Sequence, residues 1–158
     1  MKSNLELKVA LNDLAIEHLE NTVAELRDEV RSKLKGDGTT DEGGFAGNSG
    51  DYSAQASNNF LSEQASIRRA EAEQYQLIIN RLKGYKFTEE LDSVEMLSLV
   101  ETNHGWFFIT QAVKPLMYQG VRYSFLAVDA PIYSEIHGKK KGDKIQFNGI
   151  DFEIKSVC

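Results

Sequence analysis

Between Gly36 and Gly50 the chain reads Gly-Asp-Gly-Thr-Thr-Asp-Glu-Gly-Gly-Phe-Ala-Gly-Asn-Ser-Gly, and Asp51 follows at once. Asp37, Asp41, Glu42 and Asp51 place four carboxylates in or beside a stretch that holds six glycines. Carboxylate oxygens are hard ligands suited to Mg²⁺ or Ca²⁺. The run Asp37 to Glu42 lacks the alternating ligands and closing glutamate of a calcium loop, so no stably bound metal is expected. Asp51 has a second role open to it, as a first-turn acid favoured by a helix dipole. His18, His104 and His137 share no metal spacing. Cys158 is the sole cysteine, which excludes an internal disulfide or a cysteine metal cluster. The sequence also contains no nucleophile-base pairing, phosphate loop or dinucleotide fingerprint.

The carboxylates need something to carry them. From Leu5 to Lys35 there is neither Pro nor Gly, and Ile16, Leu19, Val23, Leu26, Val30 and Leu34 recur at spacings of three and four. That spacing predicts one apolar stripe on a helix, with Leu5 and Val9 extending it backwards and Arg27, Asp28 and Arg31 left in water. About 31 residues at about 1.5 Å each give a rod of about 45 Å. A helix with a single stripe needs a partner. The partner expected is a second helix over 51–83, with its seam at Leu61, Ala65, Ala72, Tyr75, Ile78, Ile79 and Leu82. Gly84 would close it in the left-handed conformation. A glycine-rich break at mid-length favours a hairpin folded on itself over a coiled coil that dimerises.

After a linker at 85–92 the pattern turns to strands. Val94 to Val100 partly alternates, Thr102 to Gly105 reads as a turn, and Trp106 to Thr110 reads as a buried strand with Trp106, Phe107 and Phe108 in the core. Gly120 to Val128 gives a third strand, and Lys114 to Gln119 is left as a loop. Pro131 opens one or two helical turns that Gly138 closes. Lys139, Lys140 and Lys141 form an exposed turn. A final hairpin pairs Lys144–Phe147 with Ile150–Val157 across Asn148-Gly149, a dipeptide suited to a two-residue turn. The expected fold is therefore α+β: a helical hairpin over 1–84 with an acidic tip at 36–51, the linker, and a small antiparallel sheet domain over 93–158.

The chain has 158 residues, 41% hydrophobic, with a net charge of −6. That charge argues against holding DNA chiefly through phosphates, and no apolar run reaches the roughly 20 residues that span a bilayer. The charged first residues lack a signal peptide's apolar stretch. A cytoplasmic monomer without membrane association is the expectation.

The run Ala130-Pro131-Ile132, then Ile136-His137-Gly138-Lys139-Lys140, then Gly142-Asp143-Lys144-Ile145 and the closing hairpin resembles the C-terminal domain of the Gre-type transcription elongation factors, GreA and GreB. The order of parts, helical hairpin before sheet domain, is similar as well. The resemblance implies an FKBP-like sheet domain that docks on RNA polymerase and a hairpin that enters the polymerase secondary channel. Pro131, Ile132, Lys139, Lys140 and Lys141 become docking candidates. In the family, two tip acids help hold a catalytic Mg²⁺ during cleavage of backtracked RNA, chemistry that suits oxygen ligands and a metal-activated water. Here Asp51 matches the first acidic position, whereas Ala54 stands at the second. Asp41 and Glu42 are the candidates to replace it, and cleavage stimulation lies beyond what this match implies.

The resulting expectation is a polymerase-binding elongation regulator with no enzymatic activity of its own, sharing at most the polymerase's Mg²⁺. Two alternatives come from other classes. One is an FKBP-like peptidyl-prolyl isomerase, although no aromatic pocket can be assigned from the sequence. The other is a non-catalytic coiled-coil adaptor.

Overall fold

The computed structural model describes residues 3–38 and 51–158, with side chains described over 3–32 and 59–158. The architecture is α+β, two long helices followed by a six-stranded, mostly antiparallel sheet. The helices are α1 (Asn4–Gly38) and α2 (Asp51–Gly84). The strands are β1 (Leu99–Thr102), β2 (Gly105–Thr110), β3 (Val113–Tyr118), β4 (Val121–Ala127), β5 (Lys144–Phe147) and β6 (Ile150–Val157), with α3 (Pro131–Ile136) between β4 and β5. Contacts divide the chain into two compact units, Glu17–Arg81 on one hand and Met1–Ile16 with Leu82–Cys158 on the other. The division thus falls within both helices, not in the linker at 85–92. Among the described residues no helix is long and apolar enough to cross a membrane.

The helical unit is built on a narrow seam. Leu19, Val23, Leu26 and Val30 of α1 are buried, as are Ala65, Ala72 and Ile79 of α2. Spacings of three, four and seven put each set on one face. The small alanines let the helices approach closely. Arg68 of α2 reaches Glu29 of α1 at 3.5 Å, an ion pair across the seam.

In the other unit, α1 starts with a reciprocal cap. The Ser3 N–H donates to Glu6 Oε2 at 2.9 Å and the Glu6 N–H donates to Ser3 Oγ at 3.2 Å. That pairing satisfies two donors that a helix start leaves open. The Asn12 amide Nδ2 donates to the Leu82 carbonyl at 2.9 Å in a buried setting. That carbonyl belongs to the last turn of α2, where the regular i+4 helical partner is missing.

The strand order is β3-β4-β2-β1-β6-β5, and β2 and β4 run parallel while every other neighbour is antiparallel. Chain direction explains the exception. Residues 111–112 take the chain from β2 past the position of β4 to the outer strand β3, and the β3–β4 hairpin then fills the gap. Gln119 and Gly120 make that hairpin turn with φ 50° and 82°; Asn148 and Gly149 make the β5–β6 turn with 52° and 77°. Both pairs adopt the left-handed conformations that suit the twist of flanking strands. Val94, Val100, Ile109, Ile136 and Ile154 form the core on one side of the sheet. Phe108 alternates to the opposite side, between Phe87 and Phe125, at ring separations of 5.7 and 5.8 Å. Cys158 follows β6 and lies against β1. It exchanges two backbone hydrogen bonds with Leu99, of 2.8 and 3.0 Å.

Five expectations need correction. Val94 to Ser98 is not strand: Leu97 takes φ 72°, and Ser98 Oγ donates to the Glu95 carbonyl at 2.7 Å, closing a tight turn before β1. Lys114 to Tyr118 belongs to β3 and is not a loop; a register shift between Val113 and Leu116 accommodates Pro115, which cannot donate to a ladder. Gly84 ends α2 without entering the left-handed region. The last turn tightens instead, the Tyr85 N–H donating to the Leu82 carbonyl at 3.3 Å. The stripe of α1 continues backwards through Ala15, Leu11 and Lys8, leaving Val9 exposed. Of the three aromatics, Phe108 is fully buried, while Trp106 and Phe107 are half-buried.

Candidate functional site

The residues that carry the family resemblance form α3 and the basic turn after it. Pro131 sits in the first turn of α3, where its missing N–H costs nothing and its fixed φ suits the helix. Ala130 precedes it in extended conformation without a side-chain cap. Ser134 Oγ donates to the Pro131 carbonyl at 2.8 Å. Ile136 is buried in the core cluster, and Ile132 and Tyr133 pack against that cluster. Ile132 is thus an anchor of α3, whereas Pro131 faces solvent.

Gly138 adopts φ 77°, a conformation that a side chain resists, and this redirects the chain out of α3. Its N–H donates to the Val94 carbonyl at 2.8 Å, and the Val94 N–H donates to the Lys139 carbonyl at 2.8 Å. The turn is then tied from within. Asp143 Oδ2 accepts the Lys140 N–H at 2.8 Å, and the Asp143 N–H donates to the Lys140 carbonyl at 3.0 Å. The Gly142 N–H donates to the Ile154 carbonyl at 2.7 Å, and the Ile154 N–H donates to the Asp143 carbonyl at 2.9 Å, fixing the turn to β6. Lys140 and Lys141 are exposed and Lys139 is half-buried. A clamped backbone therefore presents a short run of ammonium groups to solvent. Such groups attract an acidic surface at modest energy each, because exposed ion pairs yield little.

The Tyr133 and His137 rings meet at a tilt, 5.2 Å apart, beside this turn. Burial pushes the Tyr133 hydroxyl above its usual range, with the Glu95 charge adding to it. No residue here combines a nucleophile with a base. Among the described residues no group of three or more His, Cys, Asp or Glu could hold a metal ion.

Asp51 begins α2, but its side chain, like Asp41 and Glu42, lies outside the described residues. The docking candidates, by contrast, all lie on α3 and its turn.

Sequence reasoning missed Lys8. Its side chain is 1% exposed, and among the described residues no hydrogen bond or ion pair engages its ammonium. Burial pushes its pKa down, opposed by the nearby titratable groups Cys158, Glu90 and Glu95. With Lys86, Phe87 and Thr88 it lines a concavity of about 280 Å³. The only sequence signal was periodicity, since position 8 continues the seam through Leu11 and Ala15.

No family model matches this sequence, and no curated protein matches it. Among solved structures, the crystal structure of the GreA factor homolog 1 (Gfh1) protein of Thermus thermophilus is similar over 91% of this chain and 94% of its own, with 10% identity and a TM-score of 0.32.

Proposed function

We propose that this chain is a transcription elongation regulator that binds RNA polymerase and acts through its secondary channel, without enzymatic activity of its own. The observation that carries the reading is the clamped basic turn. The residues of the Gre-like run, Pro131, Gly138, Gly142 and Asp143, are those that set the helix start, the redirection and the closure of that turn. The turn gives Lys140 and Lys141 a fixed frame for an acidic surface on the polymerase. The antiparallel helices suit insertion into a channel, and Asp51, with Asp41 or Glu42, would offer carboxylate oxygens to a metal that the polymerase itself holds.

The test uses stalled, backtracked elongation complexes, with and without the protein. Stimulated RNA cleavage that Asp51→Asn abolishes and Asp41→Asn/Glu42→Gln weakens assigns a chemical role to the tip. Inhibited cleavage assigns competition for the channel. Failure of the intact protein to retain polymerase in a pull-down rejects the reading altogether.

One observation favours a second reading. α2 exposes Phe60, Ile67 and Leu77, apolar positions that a coiled-coil adaptor would cover. A monomeric mass in solution at high concentration counts against self-pairing through that face.

A further inference from the structure

Four of the chain's six arginines, Arg27, Arg31, Arg68 and Arg69, line a single groove in the helical unit, although the protein as a whole carries a charge of −6. The groove encloses about 330 Å³, near the lower end of the range of roughly 300–1,000 Å³ typical of small-molecule sites. Leu26, Val30 and Ala72 form its floor. These are seam residues, each less than a tenth exposed, so the floor is fixed by helix packing.

The four guanidiniums differ in what already occupies them. Arg68 is committed within the protein, at 3.0 Å from Glu71 and 3.5 Å from Glu29. Arg31 meets Asp28 at 3.6 Å with both side chains about three-quarters exposed, a weak and solvent-screened pair. Arg27 and Arg69 make no ion pair among the described residues. Arg27 and Arg31 also stand four residues apart on α1, where like charges repel across one helical turn. Glu73 is the one acid lining the groove. Asp28, Glu29, Glu71 and Glu73 offset part of this charge, while Arg27 makes no ion pair among the described residues. A bound polyanion would relieve what remains.

We infer that this groove binds a nucleotide carrying a polyphosphate. Guanidinium forks bind phosphate oxygens through paired, charge-assisted hydrogen bonds and also stack on flat rings. Arg27 and Arg69, one from each helix, bracket the phosphates. The apolar floor takes the base. A single inorganic phosphate would leave that floor uncovered. This inference stands independently of polymerase binding, because the groove and the α3 turn belong to different compact units.

The test is calorimetric titration of the full chain with ATP, inorganic pyrophosphate, AMP and a ten-nucleotide RNA. ATP is expected to bind below millimolar concentration, pyrophosphate more weakly and AMP weakest. Arg27→Gln/Arg69→Gln should weaken ATP binding at least tenfold, the equivalent of one charge-assisted hydrogen bond, with helical circular dichroism unchanged. Arg27→Lys/Arg69→Lys keeps both charges, removes the forks and should lose part of the affinity. Arg122→Gln, on β4, should bind as the wild type does. Absence of ATP binding at millimolar concentration, equal affinity in wild type and the Gln double variant, or binding of the RNA without ATP would each overturn the assignment.

Discussion

The helical unit and the sheet bury their apolar residues in different ways. In the helical unit a single row of side chains, such as Leu19 and Val23, packs in a seam with a row formed by Ala65, Ala72 and Ile79, and Phe60, Ile67 and Leu77 remain exposed on α2. In the sheet, Val100, Ile109 and Ile154 pack on one side while Phe108 packs on the other, so the central strands are covered on both. The first arrangement is local and periodic. The second depends on partners far apart in sequence, such as Val100 beside Val157 and Trp106 beside Tyr123. A thin seam gains length at the expense of burial, whereas a two-sided sheet gains burial through long-range pairing.

Substitutions can break that contrast if it is wrong. Phe108→Ala removes a fully buried ring and should cost about 3–5 kcal/mol, enough to unfold much of the sheet. Leu19→Ala removes a buried side chain from a narrow, one-sided seam and should cost about 2 kcal/mol, the low end for a buried leucine. Denaturant unfolding followed by two signals separates them. Trp106, the only tryptophan, reports on β2, and far-ultraviolet dichroism reports mostly on the helices. Phe108→Ala should move the tryptophan midpoint further than the dichroism midpoint, and Leu19→Ala the reverse. Equal shifts in both signals would mean that the two regions unfold as one.

Lys8→Met should act in the opposite direction, raising stability by about 1 kcal/mol, because it replaces a buried amine, unpaired among the described residues, by an apolar chain of similar length. The sign follows from its pKa, which burial holds below the ordinary 10.5. Between that lowered value and 10.5 the unfolded chain binds more protons, so wild-type stability gains from this group as pH rises. The advantage of Lys8→Met should therefore be greatest at neutral pH and shrink towards pH 10.5. Cys158 contributes oppositely, and more strongly in Lys8→Met, because Lys8 partly offsets the rise in its pKa. Burial raises its thiol above 9.0, and stability is lost as pH rises through that raised value. Chemical denaturation at several pH values reads the difference, and a constant offset would remove Lys8 from the account.

The smallest effect belongs to Arg31→Ala. It removes an exposed pair with Asp28 and should leave the unfolding midpoint within about 0.5 kcal/mol of wild type.

What the sequence disclosed follows the same division. The spacing of Leu19, Val23, Leu26 and Val30 announced α1, because helical periodicity is written locally. Asn148-Gly149 announced the closing hairpin, and Pro131 and Gly138 bracketed α3, because the turn chemistry of those residues is intrinsic. β3 was hidden, since Lys114 and Pro115 fit poorly in a central strand and are tolerated only at an edge or bulge, a position that topology assigns. The turn at Leu97 was hidden too, because a leucine at φ 72° is imposed by its surroundings; its N–H donates to the Ile109 carbonyl at 2.7 Å. The α3 turn could be found from motif order, while the arginine groove could not. Arg27 and Arg69 lie 42 positions apart in the chain, and only helix packing brings them to one hollow.

The two hydrogen bonds between Cys158 and Leu99 make the chain's sole thiol a clock for local opening. The sulfur is shielded and kept protonated, so an alkylating reagent can reach it only when the last residues peel away from β1. Its labelling rate in native buffer counts those excursions one molecule at a time, with no added dye or engineered residue.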